Sequence, residues 1–352
     1  MPLMLQSAPM KELLHQLIAG KPLTADQAAQ AFETIMTGNA DPAQTASLLT
    51  LLAAREPTTD ELLGAAGIMR KHVLHIEAPD NVIDTCGTGG VGSRIFNVST
   101  TAAIVAASCG VPVAKHGNRS VTSKSGSSDV LKALGVNIDT TPEQEARCLR
   151  EANICFAFAP KHHPAMKHVA PVRQALGFST IFNILGPITN PAGSRRQLVG
   201  TRSQALADKL LDVLVKLGAK RAMLVCGSDP ASSCGTSALC ELSVMGPTYV
   251  ASYDGTLIKR MQVTPESVGL KTADGAALVI DSPEQSAALV RRVLSGEKGP
   301  ARDIVLLNGA AALWVGGTVN DLATGITRAA EAVDTGRASA TLERLVACSH
   351  AT

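Results

Sequence analysis

Val82-Ile83-Asp84-Thr85-Cys86-Gly87-Thr88-Gly89-Gly90-Val91-Gly92 sets the grammar of this chain. A short β-branched pair runs into a glycine-rich turn, and Ser99 then precedes an apolar helix that ends at Gly110. Val111 to Ala114 reads as the next strand and leads into a second turn, Lys115-His116-Gly117-Asn118-Arg119-Ser120, continuing through Ser123-Lys124-Ser125-Gly126-Ser127. Strand, glycine turn, helix, strand is the unit of a parallel sheet covered by helices. Between Asp84 and Asp129 there is no acidic residue, while Arg94, Lys115, Arg119 and Lys124 supply four fixed positive charges. Exposed backbone N–H groups, hydroxyls and cations without competing carboxylates make a site for a highly charged anion, and a diphosphate-bearing ligand is the natural reading.

The alternation continues downstream. Ser127-Ser128-Asp129 opens a short helix stopped by Gly135, and Thr141-Pro142-Glu143-Gln144 combines an N-cap, a first-turn proline and a capping residue three positions later. Ile154 to Phe158 is strand-like. A helix over 204–217, a strand over 222–226 and helices near 283–295, 302–315 and 320–333 follow. Residues 10 to about 72 differ, with helical signals alone: a capping box at Thr24-Ala25-Asp26-Gln27 closed by Gly38, an Asp41-Pro42 start, and Thr59-Asp60-Glu61 before Leu62, Leu63, Ala66 and Met69 on one face. The expected organisation is a helical domain over 1–78, joined by about 165–192, and an α/β domain over 79–164 and 193–352 with a mostly parallel central sheet.

Composition narrows the function. The 352 residues are 45% hydrophobic and carry a net charge of +2, so the positive charge is local and suits a small anion better than a long polyanion. Aromatics at 3% are too few for stacking platforms on single-stranded nucleic acid. Eight cysteines make no disulfide framework in a chain this long, and the spacing of Cys226, Cys234 and Cys240 matches no zinc pattern. With no signal peptide and no apolar run of membrane-spanning length, the chain reads as cytoplasmic.

Gly87-x-Gly89-x-x-Gly92 fits a dinucleotide fingerprint, but that motif expects an acid about 20 residues on for the ribose, and here the second strand ends in Lys115-His116. Asn97, Ser99 and Thr100 add donors where a helix dipole already favours an anion. In Ala159-Pro160-Lys161-His162-His163-Pro164 the histidines are adjacent; on an extended chain they point oppositely, which favours positional or packing roles. Arg173 falls on an expected helix near that loop, where a lone arginine is usually a solvated face.

In these motifs the sequence resembles the anthranilate phosphoribosyltransferases. The likeness covers nearly the whole chain: Gly87-Thr88-Gly89-Gly90, Phe96-Asn97-Val98-Ser99-Thr100, Lys115-His116-Gly117-Asn118-Arg119-Ser120, the His-His-Pro segment, and Thr180-Ile181-Phe182-Asn183 through Asn190-Pro191. The resemblance implies a homodimer of the nucleoside phosphorylase/phosphoribosyltransferase type, with its site between the helical and α/β domains. It implies transfer of phosphoribosyl from phosphoribosyl diphosphate (PRPP) to the amine of anthranilate, with magnesium. On that resemblance Gly87, Gly90, Asn97, Ser99, Thr100, Lys115, Asn118, Arg119, Ser123 and Ser127 contact PRPP. Ser99 and Glu241 hold magnesium. Gly87, Asn118 and Arg173 meet anthranilate, with the guanidinium of Arg173 on its carboxylate. No residue is expected as nucleophile or base, and neither a membrane nor a nucleic acid as partner.

Four positions depart from the family pattern. Val91 stands for an aspartate, Ile95 for a threonine and Ser179 for an arginine; Cys240-Glu241 stands for an acidic pair. A thiol is a poor magnesium ligand, so either Asp229 or water completes the site beside Glu241, or the chain is a divergent relative with another acceptor or a non-catalytic nucleic-acid binder. A pyrimidine nucleoside phosphorylase shares the expected architecture and is separated by a phosphorolysis assay.

Overall fold

The computed structural model describes residues 9–91, 94–119, 125–230 and 238–351. The chain opens with α1 (Met10–Ile18), α2 (Ala25–Met36), α3 (Pro42–Arg55) and α4 (Thr59–Lys71). Their starts follow the capping signals. Thr24 Oγ1 accepts the Gln27 N–H at 3.2 Å while Gln27 Oε1 accepts the Thr24 N–H at 3.0 Å, closing the capping box. Asp41 caps Ala43 and Gln44 ahead of Pro42. The cap of α4 is Thr58, paired reciprocally with Glu61.

The α/β region then runs β1 (Ile83–Gly87), α5 (Val98–Ser108), β2 (Val113–Gly117), α6 (Ser127–Ala133), α7 (Pro142–Ala152) and β3 (Ile154–Phe158). The chain returns to the first helices through α8 (Ala159–His162), a 3-10 turn Pro164–His168, α9 (Ala170–Leu176) and α10 (Ile181–Leu185). It re-enters the sheet with β4 (Arg196–Gly200), α11 (Gln204–Lys216), β5 (Arg221–Ser228), β6 (Ala238–Leu239) and the hairpin β7 (Thr248–Tyr253) and β8 (Ile258–Val263). It closes with α12 (Pro283–Leu294), α13 (Pro300–Gly316), α14 (Leu322–Asp334) and α15 (Arg337–His350).

Among the described residues the strand order is β3-β2-β1-β4-β5-β7-β8, with β6 beside β5. β3, β2, β1, β4 and β5 are mutually parallel, whereas β7 and β8 run antiparallel. Alternation along each strand feeds two cores. Met223 and Val225 of β5 point into the core built with α5, α13 and α15; Ala222 and Leu224 point into the core shared with α11 and the first helices. Val169 and Ile181, Phe182, Ile184 and Leu185 of α10 join that second core, so the 165–192 crossing packs with the N-terminal helices. β8 is the sheet's edge, with exposed Ile258 and Met261 flanking Lys259 and Arg260.

Several expectations need correction. β1 and β2 lie further on than the apolar pattern indicated, at 83–87 and 113–117 rather than 82–83 and 111–114, because buried polar residues continue them. Asp84 Oδ1 accepts the His116 N–H at 3.1 Å, so both stay in the sheet. Strand β4, the β7–β8 hairpin and α15 were not anticipated. His162 and His163 are not on extended chain: His162 ends α8 and His163 is its C-cap.

Candidate active site

Order 3-2-1-4-5 means that the connections leave β1 to one side and β4 to the other. The crevice at the carboxyl ends of these two strands is the switch point where α/β sheets bind ligands. A cavity of about 710 Å³ opens there, and Gly87, Gly90, Asn97, Ser99, Lys115, Asn118, Arg119, Ser127, Arg173 and Glu241 all line it. Its opposite wall comes from Met69 of α4 and from Met166, Phe182 and Asn183 of the crossing segment. The two glycine turns therefore face one cavity. Thr100 does not line it; this residue is 1% exposed and its Oγ1 has no partner among the described residues. Ser123 lies outside the described residues, as do Gly92 and Cys234.

Local sequence explains the cradle. Gly89 and Gly90 take φ of +64° and +82°, conformations that a side chain strains, and this brings their backbone to the cavity edge. At Gly117 the limit is space, since a Cβ would overlap Ser127 Oγ and the Phe156 ring. Asn118 Oδ1 accepts the Arg119 N–H at 2.7 Å, and its carbonyl accepts from the Ser127 hydroxyl at 3.3 Å, fastening the second turn to the start of α6. Asn97 Oδ1 accepts from the hydroxyls of Ser125 and Ser286, both at 2.9 Å.

At the floor Lys115, 3% exposed, donates to the Thr85 carbonyl at 2.6 Å and to Ser99 Oγ at 3.4 Å. Burial lowers its pKa, while Asp84, Cys86 and Glu241 hold it up. Glu241 accepts the Ser99 N–H at 3.2 Å, at the amino end of α5. Burial lifts its carboxyl to about 7 against the pull of Lys115 and Ser99. Cys240 Sγ lies 3.9 Å from Thr88 Oγ1 and 3.8 Å from the Gly89 carbonyl, and burial pushes its thiol up to about 12, so it is a neutral thiol. Asp229 is absent from the cavity lining among the described residues.

Across the cavity Arg173 donates from Nη2 to Asn183 Oδ1 at 3.2 Å and lies over the Phe182 ring at 5.5 Å. It is half-buried on α9 and no carboxylate among the described residues pairs with it, so it is placed to receive one rather than to be a solvated face. The sequence reading missed two wall residues. His116 and His163 are each 5% exposed, with ring centroids 5.2 Å apart. Burial pushes His116 well below the usual range and His163 to about 4, so both rings are neutral at pH 7. His116 donates from Nδ1 to the Gly186 carbonyl at 3.1 Å. Its position directly after Lys115 on a strand was the available signal.

Among the described residues no three His, Cys, Asp or Glu side chains form a metal cage. Ser99 and Glu241 offer two hard oxygens, which fits a magnesium ion that completes its shell with substrate phosphates and water.

Residues 11–73 match the family model described as the helical bundle domain of a glycosyl transferase family, and residues 79–339 match the a/b domain of that family. An anthranilate phosphoribosyltransferase of Rhodospirillum rubrum is 48% identical over 337 residues, covering 96% of this chain and 95% of that protein. The crystal structure of the Thermus thermophilus enzyme of the same name superposes with a TM-score of 0.88 at 38% identity, over 96% of this chain and 99% of that one. The Saccharomyces cerevisiae enzyme in complex with PRPP and Mg gives a TM-score of 0.84 at 26% identity, over 97% of both chains. A glycine-turn cavity at the switch point, both family domains in sequence and near-full-length relatives agree: the chain belongs to the anthranilate phosphoribosyltransferase family.

Proposed function

We infer that this protein transfers the phosphoribosyl group of PRPP to the amine of anthranilate, giving N-(5-phosphoribosyl)anthranilate and diphosphate. The observation that carries the inference is the shared cavity: the cationic floor and glycine turns on the sheet side face the Arg173 guanidinium on the helical side. Gly87, Gly90, Asn97, Ser99, Lys115, Asn118, Arg119 and Ser127 surround the diphosphate and ribose phosphate; Ser123 and Thr100 are assigned there by family resemblance alone. Arg173 pairs with the anthranilate carboxylate through its planar fork. Gly87 and Asn118 flank the aromatic ring.

Departure of diphosphate leaves positive charge at the ribose C1 and negative charge on the leaving oxygens. The chain's task is to stabilise those oxygens and aim the amine at C1, and no covalent nucleophile is needed. Lys115 and the α5 amino terminus stand where charge accumulates. The imidazoles of His116 and His163, being neutral, bring no charge to compete with Arg173 for the anthranilate carboxylate. Ser99 and Glu241 would hold magnesium, which when bound neutralises the diphosphate; Cys240 takes no part as a thiol. The S. cerevisiae relative is in complex with PRPP and Mg, which supports PRPP and magnesium as the ligands of this cavity.

A homodimer belongs to the same proposal and is checked by mass in solution. No helix among the described residues is long and apolar enough to cross a membrane. The test of the reaction is calorimetric titration with PRPP, with and without magnesium, followed by anthranilate. Product formation is expected; PRPP binding without product would leave only a divergent relative with another acceptor.

A further inference from the structure

One residue before His163 stands a second imidazole that does not line the cavity. His162 is 1% exposed and reaches in two directions. Its Nδ1–H donates to the Leu74 carbonyl at 2.8 Å, and its own carbonyl accepts the Leu74 N–H at 2.8 Å. On the other side Nε2 lies 2.8 Å from Glu145 Oε2 of α7, and both side chains are 1% exposed. The two groups are close enough for an ion pair in a site shielded from water. Glu145 Oε1 accepts the Thr140 hydroxyl at 3.0 Å. Burial pushes the imidazole pKa down, and Glu145 together with the Leu74 carbonyl more than offsets it, so the net shift is upward.

Leu74 belongs to the connector that leads from α4 to β1. Its side chain is about half exposed, so main-chain pairing rather than packing fixes its place. His163, by contrast, has no hydrogen-bond partner at either ring nitrogen among the described residues. Its imidazole is therefore placed by packing against His116 and by the backbone turn that carries it, and that turn is the one His162 anchors.

We propose that His162 is a positioning residue, a strut braced on the α4–β1 connector through its Nδ1–Leu74 bond, that sets where the His163 ring stands in the cavity wall; the Glu145 contact is not what fixes that place. The proposal rests on the transfer reaction above, with His163 in the wall of the cavity that Arg173 also lines. Loosening the strut shifts the acceptor's wall and leaves the glycine turns and Lys115 in place.

The two bonds separate by side-chain length. An asparagine amide nitrogen sits where Nδ1 sits and keeps the tie to Leu74; a glutamine amide nitrogen reaches where Nε2 sits and keeps only the contact with Glu145. In the full-length protein, His162→Gln is expected to raise the KM for anthranilate about tenfold, the order expected of small misplacements. The KM for PRPP should stay within about twofold, and His162→Asn should return the anthranilate KM towards wild type. In the protein without substrate, the His163 ring proton resonances should move in His162→Gln and stay put in His162→Asn. Unmoved resonances in both variants, or parallel losses for both substrates and both variants, would overturn the strut. Turnover by the wild-type protein is a separate arm: its absence would count against the reaction, while the resonances still decide the strut.

Discussion

Replacing Lys115 by methionine keeps the stem and removes the ammonium, and its effect can be worked from the geometry. Two of the three N–H donors are engaged, at 2.6 Å with the Thr85 carbonyl and at 3.4 Å with Ser99 Oγ, which leaves one for a ligand. A hydrogen bond from a charged donor contributes about 1.5–3 kcal/mol net. That converts to roughly ten- to hundredfold in PRPP affinity at about 1.4 kcal/mol per decade. A second effect adds to the first. Lys115 is one of the groups that hold Glu241 down at about 7, so without it that carboxyl titrates higher and is protonated for more of the neutral range. Magnesium-supported binding of PRPP then weakens further. The assay is calorimetric titration with PRPP at fixed magnesium, with circular dichroism to show that the variant is folded. Affinity within about twofold of wild type in a folded variant would show that the floor of the cavity is not where the diphosphate sits, and the assignment would fail.

Other substitutions separate the remaining roles. Arg173→Lys keeps the charge and loses the fork, so the anthranilate KM should rise about tenfold with PRPP binding unchanged; equal losses for both substrates would refute the pairing. Glu241→Ala should remove most of the tightening of PRPP binding by magnesium, and superimposable titrations of variant and wild type would show that the carboxylate is not a ligand. Glu61 is fully buried and accepts from Leu23 N at 2.9 Å, Thr58 N at 2.8 Å and both Arg55 Nη groups. Despite the upward push of burial, Arg55, Thr58 and Leu23 hold its pKa below 4.5. Its contribution is therefore present above about pH 4.5 and lost as pH falls through the lowered value. Glu61→Gln should cost about 2 kcal/mol at about pH 7 and flatten the acid limb of the melting profile, and an unchanged acid limb would contradict the linkage.

Much of this molecule was legible in its residues, for identifiable reasons. Helix starts were readable because capping is local: Thr24, Asp41 and Thr141 each cap the helix they announced. The glycine turns and Lys115 were readable because a carboxylate-free run is a property of composition. Strand ends were not, since Asp84 and His116 look like loop residues until one sees that they satisfy each other across β1 and β2. The hairpin over 248–263 was missed because β8 is exposed along most of its length and lacks a core-facing alternation. The cavity role of His163 was hidden by a wrong backbone assumption: the pair sits at the end of α8, where His163 lines the cavity and His162 turns to Leu74 and Glu145. Departures at Val91 and Cys240 were visible as letters, but only the fold shows that Cys240 stays a neutral thiol against the Gly89 carbonyl.

The open rim at β8 bears on how the protein behaves when concentrated. A bare strand invites another to zip alongside and extend the ribbon indefinitely. Here Lys259 and Arg260, the latter paired with Asp208 at 2.7 Å, project to opposite sides of that rim, so an incoming chain would meet a charged group whichever side it favoured. These two cations thus act as a guard against fibrous growth.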